Sequence, residues 1–314
     1  MSNPYLFIVG CPRSGTTLLQ RVVNAHPEIA ILAEEAHWIY HLPKDRAAVH
    51  KNGAVAPGLI SALSEDPEFA RLGISHEQLQ LLMGEDERIS YSRFVSRIFD
   101  LYGEMQGKRL VGNKTPGLVR RLDVVHALWP KACVVHVVRD GRDVHLSMKN
   151  RTLHLVPNAV DGRSEDAVAN AALWWELNVQ QGRNARKSFG LKLYCEVLFE
   201  SLLSQPEEVC RALCTFLGVP YSEAMVRYYE RRKMKRASDA SKASLRDWRT
   251  EMPSKDVEMF EAAAGKTLEN LGYSRAFPHP ADDLVERSTR RRSLMLEQSA
   301  RSAEIWAGRL NKFG

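Results

Sequence analysis

The chain has 314 residues, of which 44% are hydrophobic and 26% are charged. These shares are close to globular averages, so one large domain or two small ones can bury a core without disulfides or structural metals. The net charge of +6 favours anionic ligands, but no RRM or zinc-finger pattern accompanies it, so we expect no nucleic-acid partner.

The five cysteines are scattered: Cys11, Cys133, Cys195, Cys210 and Cys214. An odd set without a C-x-x-C pair predicts buried thiols in a reducing compartment and neither a disulfide framework nor a zinc site. The segment before the first predicted strand is too short for a signal peptide, and no apolar run approaches the roughly 20 residues of a membrane helix. We therefore expect a cytoplasmic protein with no membrane span.

Apolar runs and helical patterns alternate along the chain. Near the amino terminus, Tyr5–Val9 predicts a buried strand, 16–25 a helix with one apolar stripe, and 29–32 a second short strand. The pattern of 43–106 is mostly helical. Further along we predict strands and helices at 109–112, 116–128, 133–138, 165–188, 190–194 and 206–217, with a loop at 151–165.

This alternation predicts an α/β fold with a parallel sheet. We interpret residues 1–280 as a single domain and 281–314 as a basic helical extension. The extension has the spacing of an amphipathic helix, which packs on the domain, forms a homo-oligomer contact or serves as a flexible arm.

The segment Gly10–Thr17 joins the first predicted strand to the first predicted helix, and its sequence is Gly-Cys-Pro-Arg-Ser-Gly-Thr-Thr. Ser14 and Gly15 are small enough for the backbone to wrap an anion, toward which the amides of the helix N-terminus point. The spacing is that of a Walker A loop, but Thr16 stands where the lysine belongs. A turn without a ligand and a degenerate nucleotide kinase both remain open for this segment.

The missing lysine is informative. A kinase or NTPase uses that lysine together with Mg²⁺ against the charge of the β- and γ-phosphates. A donor that ends in a singly charged sulfonate has less charge to neutralise, and Arg13 supplies a cation within the loop itself.

Residues 12–17 resemble the 5′-phosphosulfate-binding loop of the sulfotransferase superfamily, in the arginine version of tyrosylprotein and many bacterial sulfotransferases. His26-Pro27 and Glu34-Glu35 are similar to conserved features of the same group. The resemblance implies a Rossmann-like, P-loop NTPase-like core that binds 3′-phosphoadenosine 5′-phosphosulfate without a metal. It also implies a set of residues around the 5′-phosphosulfate: Arg13, Ser14, Gly15, Thr16 and Thr17.

A second motif follows the strand 133–138. Arg139 lies at the predicted carboxyl end of this strand, where open α/β sheets bind ligands, and Ser147 comes eight residues later. Taken alone, Arg139 could equally be an ion-pair partner of Asp140 or Asp143. The stretch resembles the family's 3′-phosphate motif, which implies that Arg139 and Ser147 hold that phosphate.

Three weaker matches add candidates. Lys114, in Gly-Asn-Lys-Thr-Pro, resembles the family's lysine near the sulfonate and is a candidate for stabilising the bridging oxygen. Tyr194 resembles a tyrosine that lies against the nucleotide. Arg246, in Ser-Leu-Arg-Asp-Trp, resembles a segment that closes over the phosphate, although the glycine-rich loop of the cytosolic steroid and phenol enzymes is absent here. Each of these side chains could instead be purely structural.

An alcohol acceptor needs a base to take its proton. Arginine-type relatives use the acidic residue after His-Pro, so Glu35 is the best match and Glu34 the second. His37 and His145 are further candidates, while His26 and His136 are better explained as structural. Burial near apolar side chains could raise the pKa of Glu35 into a useful range.

The sequence therefore predicts a sulfotransferase acting on a small-molecule or carrier-bound hydroxyl, with the acceptor bound by a helical insertion at 36–106. Two alternatives remain: a small-molecule kinase or NTPase with an altered P-loop, and a non-catalytic nucleotide-binding module. A kinase would need Mg²⁺ and an acidic ligand at a strand end. Asp140 and Asp143 are available there, but Arg139 and Arg142 flank them and suit an anion better.

Overall fold

The structure is a computed structural model. It describes residues 5–33, 35–36, 39, 50, 53–56, 58–84, 89–149, 167–237 and 246–310. Within these residues, five parallel strands form one sheet in the order β2-β3-β1-β4-β5. The strands are β1 (Leu6–Gly10), β2 (Ile29–Ile31), β3 (Leu110–Lys114), β4 (Cys133–Val138) and β5 (Tyr194–Leu198).

Helices cover both faces of the sheet. They are α1 (Thr16–Asn24), α2 (Gly58–Glu65), α3 (Pro67–Ala70), α4 (His76–Met83), α5 (Tyr91–Gln106), a 3₁₀ helix (Pro116–Arg121), α6 (Leu122–Leu128), α7 (Gly141–Lys149), α8 (Ala167–Phe189), α9 (Phe199–Ser204), α10 (Pro206–Leu217), α11 (Glu223–Ala237), α12 (Trp248–Glu251), α13 (Ser254–Asn270) and α14 (Asp282–Leu310). Among the described helices, none combines the length and the apolar character needed to cross a membrane.

The central strand β1 explains the layering. Successive side chains of a strand point to opposite faces, so Phe7 and Val9 enter the core beneath α5 and α6, whereas Leu6 and Ile8 enter the core beneath α1 and α10. Leu6, Phe7, Ile8 and Val9 are completely buried. A strand buried on both faces in this way requires a continuous apolar run, as in parallel sheets generally.

The α/β fold predicted from the alternation of elements is confirmed, and most boundaries shift by only a few residues. The strand 133–138 and the helix 206–217 occur as predicted, and the predicted helix 116–128 divides into a 3₁₀ turn followed by α6. The predicted loop 151–165 lies outside the described residues. Cys195 is only half-buried, while the other four cysteines are buried, and all five are free thiols.

The strand predicted at 190–194 is wrong. Helix α8 ends at Phe189, and it is followed by Gly190, whose φ of +69° is left-handed, and by a turn with an exposed Leu191. β5 begins at Tyr194 and pairs with β4 from Val134↔Tyr194 to Val138↔Leu198. The strand therefore lies four residues further along the chain than predicted, and Tyr194 begins it instead of ending it.

A polar cluster connects β4, β5 and α8. His136 is fully buried, and its Nδ1 lies 2.6 Å from the hydroxyl of Tyr194. Burial lowers the pKa of His136 to about 4, although Glu196 opposes that shift. Glu196 in turn pairs with Arg183 of α8 at 2.6 Å. His136 is thus a neutral core residue, as the sequence analysis favoured.

The arginine-rich segment near the carboxyl terminus is helical, as its spacing predicts. Leu284 and Met295 of α14 pack against the core formed by α8 and α13, and Arg292 pairs with Glu176 and donates to the carbonyl of Ala263. This part of the basic extension is therefore packed on the domain.

Candidate active site

The predicted functional residues gather at the carboxyl edge of the sheet. The chain runs from β1 to β2 and β3 on one side and then crosses to β4 and β5 on the other, which makes the end of β1 a topological switch point. The Gly10–Thr17 loop follows β1, Glu35 follows β2, Lys114 ends β3 and Arg139 follows β4. The parallel strands thus bring groups that are far apart in sequence to one edge.

The loop after β1 is shaped by two glycines. A Cβ on Gly10 would overlap the carbonyl oxygen of Val137 in β4, and a Cβ on Gly15 would overlap the ring of Phe199. Gly15 also has a φ of +94°, a conformation that favours glycine. The first amides of a helix have no intrahelical acceptor, and Gly15 provides no side-chain cap for those of α1.

Ser14 and Thr16 are buried in this loop. The Ser14 amide donates to the carbonyl of Cys11 at 3.1 Å, which closes the turn. The Ser14 hydroxyl is buried and has no hydrogen-bond partner among the described residues. An unpaired buried hydroxyl next to a helix N-terminus, whose first amides have no intrahelical acceptor, is an arrangement expected where an anion binds.

Arg13 joins the two predicted halves of the site. It is the one residue other than glycine with a positive φ (76°) among those described. Its Nε donates to the Ser147 hydroxyl at 3.0 Å, and its carbonyl accepts a long hydrogen bond from Arg139 at 3.5 Å. The loop cation and the two residues of the second motif are therefore neighbours in space, although they lie more than 120 positions apart.

Arg139 is held at the end of β4 by weak contacts. Its guanidinium lies 4.8 Å from the centroid of the Phe199 ring and 3.5 Å from the Asp143 carboxylate. Only 6% of the residue is exposed, and its Nε has no hydrogen-bond partner among the described residues. A buried guanidinium with an unpaired N–H can donate to a phosphate oxygen. The ion pair weighed in the sequence analysis does form with Asp143, whereas Asp140 pairs with Arg142.

Arg142 is a structural support for this edge. It is fully buried and forms ion pairs with Asp140 at 2.7 Å and Glu261 at 2.6 Å. Its guanidinium also lies 3.6 Å from the centroid of the Trp248 ring. The Trp248 amide donates to Asp143 at 2.9 Å. Helix α7 thereby fixes the segment that begins at 246 beside the end of β4.

Arg246 is brought to the site through its backbone. Its carbonyl accepts from Arg139 at 3.4 Å, while its own guanidinium pairs with Glu251. The predicted contact of Arg246 with a phosphate stays a prediction.

Glu35 and Lys114 form an ion pair. The Lys114 ammonium donates to Oε1 of Glu35 at 2.6 Å, and the lysine side chain is 6% exposed while that of the glutamate is 34% exposed. The first-choice base and the lysine predicted beside the sulfonate are therefore adjacent. Glu34 and His37 lie outside the described residues. Among the other candidate bases, His26 bonds the carbonyl of Pro220, and His145 packs near Phe260.

Tyr194 is not part of this site, which corrects its assignment as a nucleotide contact. It pairs with Val134 at the start of β4, whereas Arg139 follows Val138 at the other end. Four residues of strand span about 13 Å. The tyrosine is buried, and its hydroxyl is bonded to His136. A strand at 190–194 would place Tyr194 at the carboxyl edge of the sheet, whereas Tyr194 lies at the amino end of β5.

Phe199 is the site residue that the sequence analysis missed. It follows β5 directly, is 4% exposed, and contacts both Gly15 and Arg139. With β5 placed at 194–198, Leu198 pairs with Val138, so Phe199 and Arg139 both directly follow their strands at the carboxyl edge of the sheet. Among the described residues, no group of three or more histidine, cysteine, aspartate or glutamate side chains is arranged to hold a metal ion.

Comparison with known proteins identifies a family whose model matches most of the chain. Residues 4–223 match the model described as the sulfotransferase family. The chain is 25% identical over 307 residues to protein-tyrosine sulfotransferase 2 of Gallus gallus, covering 92% of this chain and 75% of that one. It is 26% identical over 308 residues to the nodulation protein NoeE of Sinorhizobium fredii, covering 88% and 67%.

The fold also has solved counterparts. The sulfotransferase domain of the Synechococcus PCC 7002 olefin synthase superimposes with a TM-score of 0.57 at 22% identity, covering 87% of this chain and 97% of that domain. This likeness agrees with the central parallel sheet and its flanking helices.

The position of Asp143 predicts a pH effect on anion binding. Burial raises the pKa of Asp143 to about 6, Asp140 and Glu200 add to the rise, and Arg139 and the Trp248 amide oppose it. Above that pH the carboxylate partly neutralises Arg139. We expect Asp143→Asn to tighten binding of adenosine 3′,5′-bisphosphate about two- to fivefold at about pH 7.5, and to have no effect at about pH 5.

Calorimetry of the wild type and the variant at both pH values checks this. The ratio of the two dissociation constants is the quantity to compare, because the ligand's own phosphate titrates near pH 6. Asp123→Asn is the control, since Asp123 pairs with Arg121 outside this cluster. Weaker binding by Asp143→Asn at both pH values would mean that Asp143 orients Arg139 and does not compete with the ligand.

Proposed function

Because the chain belongs to the sulfotransferase family, we propose that it transfers a sulfonate group from 3′-phosphoadenosine 5′-phosphosulfate to a hydroxyl group of an acceptor. The observation that carries the proposal is the pair of unsatisfied buried donors at one sheet edge, the Ser14 hydroxyl and the Arg139 Nε. Unpaired buried donors call for a partner, and an anion bound between the loop after β1 and the end of β4 would supply one for both.

The two donors fit the two ends of this nucleotide. In the proposal, the amides at the start of α1 and the Ser14, Thr16 and Thr17 hydroxyls bind the 5′-phosphosulfate, as in other anion sites at helix N-termini. Arg139 and Ser147 bind the 3′-phosphate with charge-assisted hydrogen bonds. Arg13 donates to Ser147 in this structure, and the Ser147 hydroxyl can accept that bond while it donates its own proton to the phosphate.

The transfer itself is an in-line displacement. The acceptor oxygen attacks sulfur while the bond from sulfur to the bridging oxygen breaks, and adenosine 3′,5′-bisphosphate leaves. Glu35 takes the acceptor's proton, and Lys114 and Arg13 offset the negative charge that develops on the bridging oxygen. The ion pair between Lys114 and Glu35 supports these roles, because it places a cation and a base next to each other at the end of β3.

The donor differs from that of a kinase in its charge. Thr16, at the position of the Walker lysine, is buried and uncharged, and the cations of this edge are Arg13, Lys114 and Arg139. We propose that this set acts without a metal ion. We further propose a small-molecule or carrier-bound hydroxyl as the acceptor, with the helical segment between β2 and β3 contributing to its binding.

Donor choice is the first test. We expect adenosine 3′,5′-bisphosphate to raise the melting temperature in excess EDTA, and ATP and GTP to have little effect with EDTA or with Mg²⁺. We also expect transfer of ³⁵S from the labelled donor into the compounds of a metabolite extract to persist in EDTA. Stabilisation by ATP only with Mg²⁺, or a strict Mg²⁺ requirement for turnover, would support a kinase instead.

Arg139→Ala should remove the preference for nucleotides with a 3′-phosphate. A charge-assisted contact contributes roughly 1.5–3 kcal/mol, so affinity for adenosine 3′,5′-bisphosphate should fall about ten- to a hundredfold while affinity for AMP changes little. Calorimetry with both ligands measures this, with circular dichroism to verify folding. Equal losses for both ligands would make Arg139 a scaffold residue or a 5′-phosphate ligand.

Glu35→Gln should lower the rate of ³⁵S transfer by about 10² to 10⁴ and leave affinity for adenosine 3′,5′-bisphosphate unchanged, because the base acts on the acceptor and not on the donor. Glu34→Gln is the matched control and should remain active. The opposite pattern, in which Glu34→Gln is inactive and Glu35→Gln is active, would assign the base to Glu34.

A further inference from the structure

Two side-chain contacts connect the end of β3 to the segment that follows β2. Backbone pairing between these strands reaches Ile31↔Gly112, and the amide of Leu32 donates to the carbonyl of Gly112 at 2.8 Å. Further along, Lys114 pairs with Glu35, and the amide of Ala36 donates to the Thr115 hydroxyl at 2.9 Å. Side chains of β3 thus continue the connection where the ladder ends.

The Thr115 hydroxyl is itself held in place. It donates to the side-chain oxygen of Asn113 at 2.8 Å while it accepts from Ala36. Thr115 and Asn113 are both completely buried, so water does not compete for these bonds. A hydroxyl that both donates and accepts in a dry environment has one orientation, and the Ala36 amide is fixed with it.

Asn113 has a property that packing does not explain. Its Nδ2 group is buried and has no hydrogen-bond partner among the described residues. A buried unpaired amide N–H costs stability, whereas an apolar residue of similar size at this position would not. The side-chain oxygen that orients Thr115 is the part of Asn113 that the structure uses.

These contacts restrain the side chain of Glu35 and the backbone that follows it. The ion pair with Lys114 acts on the carboxylate, and the bond from the next amide to Thr115 acts on the backbone. A general base must stay within hydrogen-bond reach of the proton that it removes, and a displacement of 1 Å can lower a rate by about a hundredfold. The carboxylate is one-third exposed, so solvent is available to compete for it.

We propose that Thr115 is a positioning residue that keeps Glu35 at the reacting centre through the Ala36 amide. Thr115 does not touch the substrate. The inference rests on the proposed role of Glu35 as the base, and it adds that the geometry of this base depends on a buried hydroxyl contributed by β3 and its following turn.

A matched pair of variants tests the proposal. Thr115→Val keeps the shape of the side chain and removes the hydroxyl, while Thr115→Ser keeps the hydroxyl. We expect Thr115→Val to lower the rate of ³⁵S transfer about ten- to a hundredfold with the affinity for adenosine 3′,5′-bisphosphate within about twofold of wild type. Thr115→Ser should stay within about threefold in rate.

A double-mutant cycle separates positioning from general damage. If Thr115 acts through Glu35, then Thr115→Val should have almost no further effect in the Glu35→Gln background, because the group that it positions is already gone. Independent, multiplicative losses would overturn the proposal. Thr115→Ala, which also lacks the hydroxyl but is smaller, replaces the valine variant if that variant does not fold.

The outcomes also separate this inference from the proposed function. Wild-type turnover by Thr115→Val together with an inactive Glu35→Gln would overturn the role of Thr115 and leave the base in place. Loss of nucleotide affinity along with rate would make Thr115 a scaffold residue. Full activity of Glu35→Gln would overturn both the base and the residue proposed to position it.

Discussion

The contact of Phe199 with Gly15 and Arg139 is the constraint on which the phosphate site depends. The ring fills the space in which a side chain at position 15 would stand, and it lies beneath the Arg139 guanidinium, 4.8 Å from its central carbon. This buried ring, which directly follows β5, thus constrains both the path of the loop after β1 and the position of the Arg139 guanidinium after β4. Glycine at position 15 follows from this packing as much as from its positive φ.

Around that contact, each half of the site relies on a different kind of support. At the end of β4, Arg142 is completely buried and contacts Asp140, Glu261 and the Trp248 ring, so the chain around 246–251 is fixed by charge and stacking. Such a network is costly to desolvate and costly to break, which makes its partners interdependent. At the end of β3, hydrogen bonds of Asn113 and Thr115 fix the backbone next to Glu35. The parallel sheet holds the two halves together.

The sequence predicted those parts of the site whose residues follow a strand in a local motif. Arg13, Ser14, Arg139 and Ser147 are predicted in this way, and the structure places them at one edge of the sheet, while their roles stay predictions. The sequence did not predict the contacts between motifs. These are the hydrogen bond from Arg13 to Ser147, the packing of the Phe199 ring against Arg139, and the packing of Arg142 against the Trp248 ring. These depend on strand order and on the start of β5, and an apolar run such as 190–198 does not define where a strand begins.

We propose that one nucleotide bridges the loop after β1 and the end of β4, and a crystal structure with adenosine 3′,5′-bisphosphate tests this. We expect the 5′-phosphate on the amides and hydroxyls of 14–17, and the 3′-phosphate on Arg139 and on the Ser147 hydroxyl, which can accept from Arg13 while it donates to the phosphate. A nucleotide bound elsewhere, or bound in the reverse direction, would contradict this proposal.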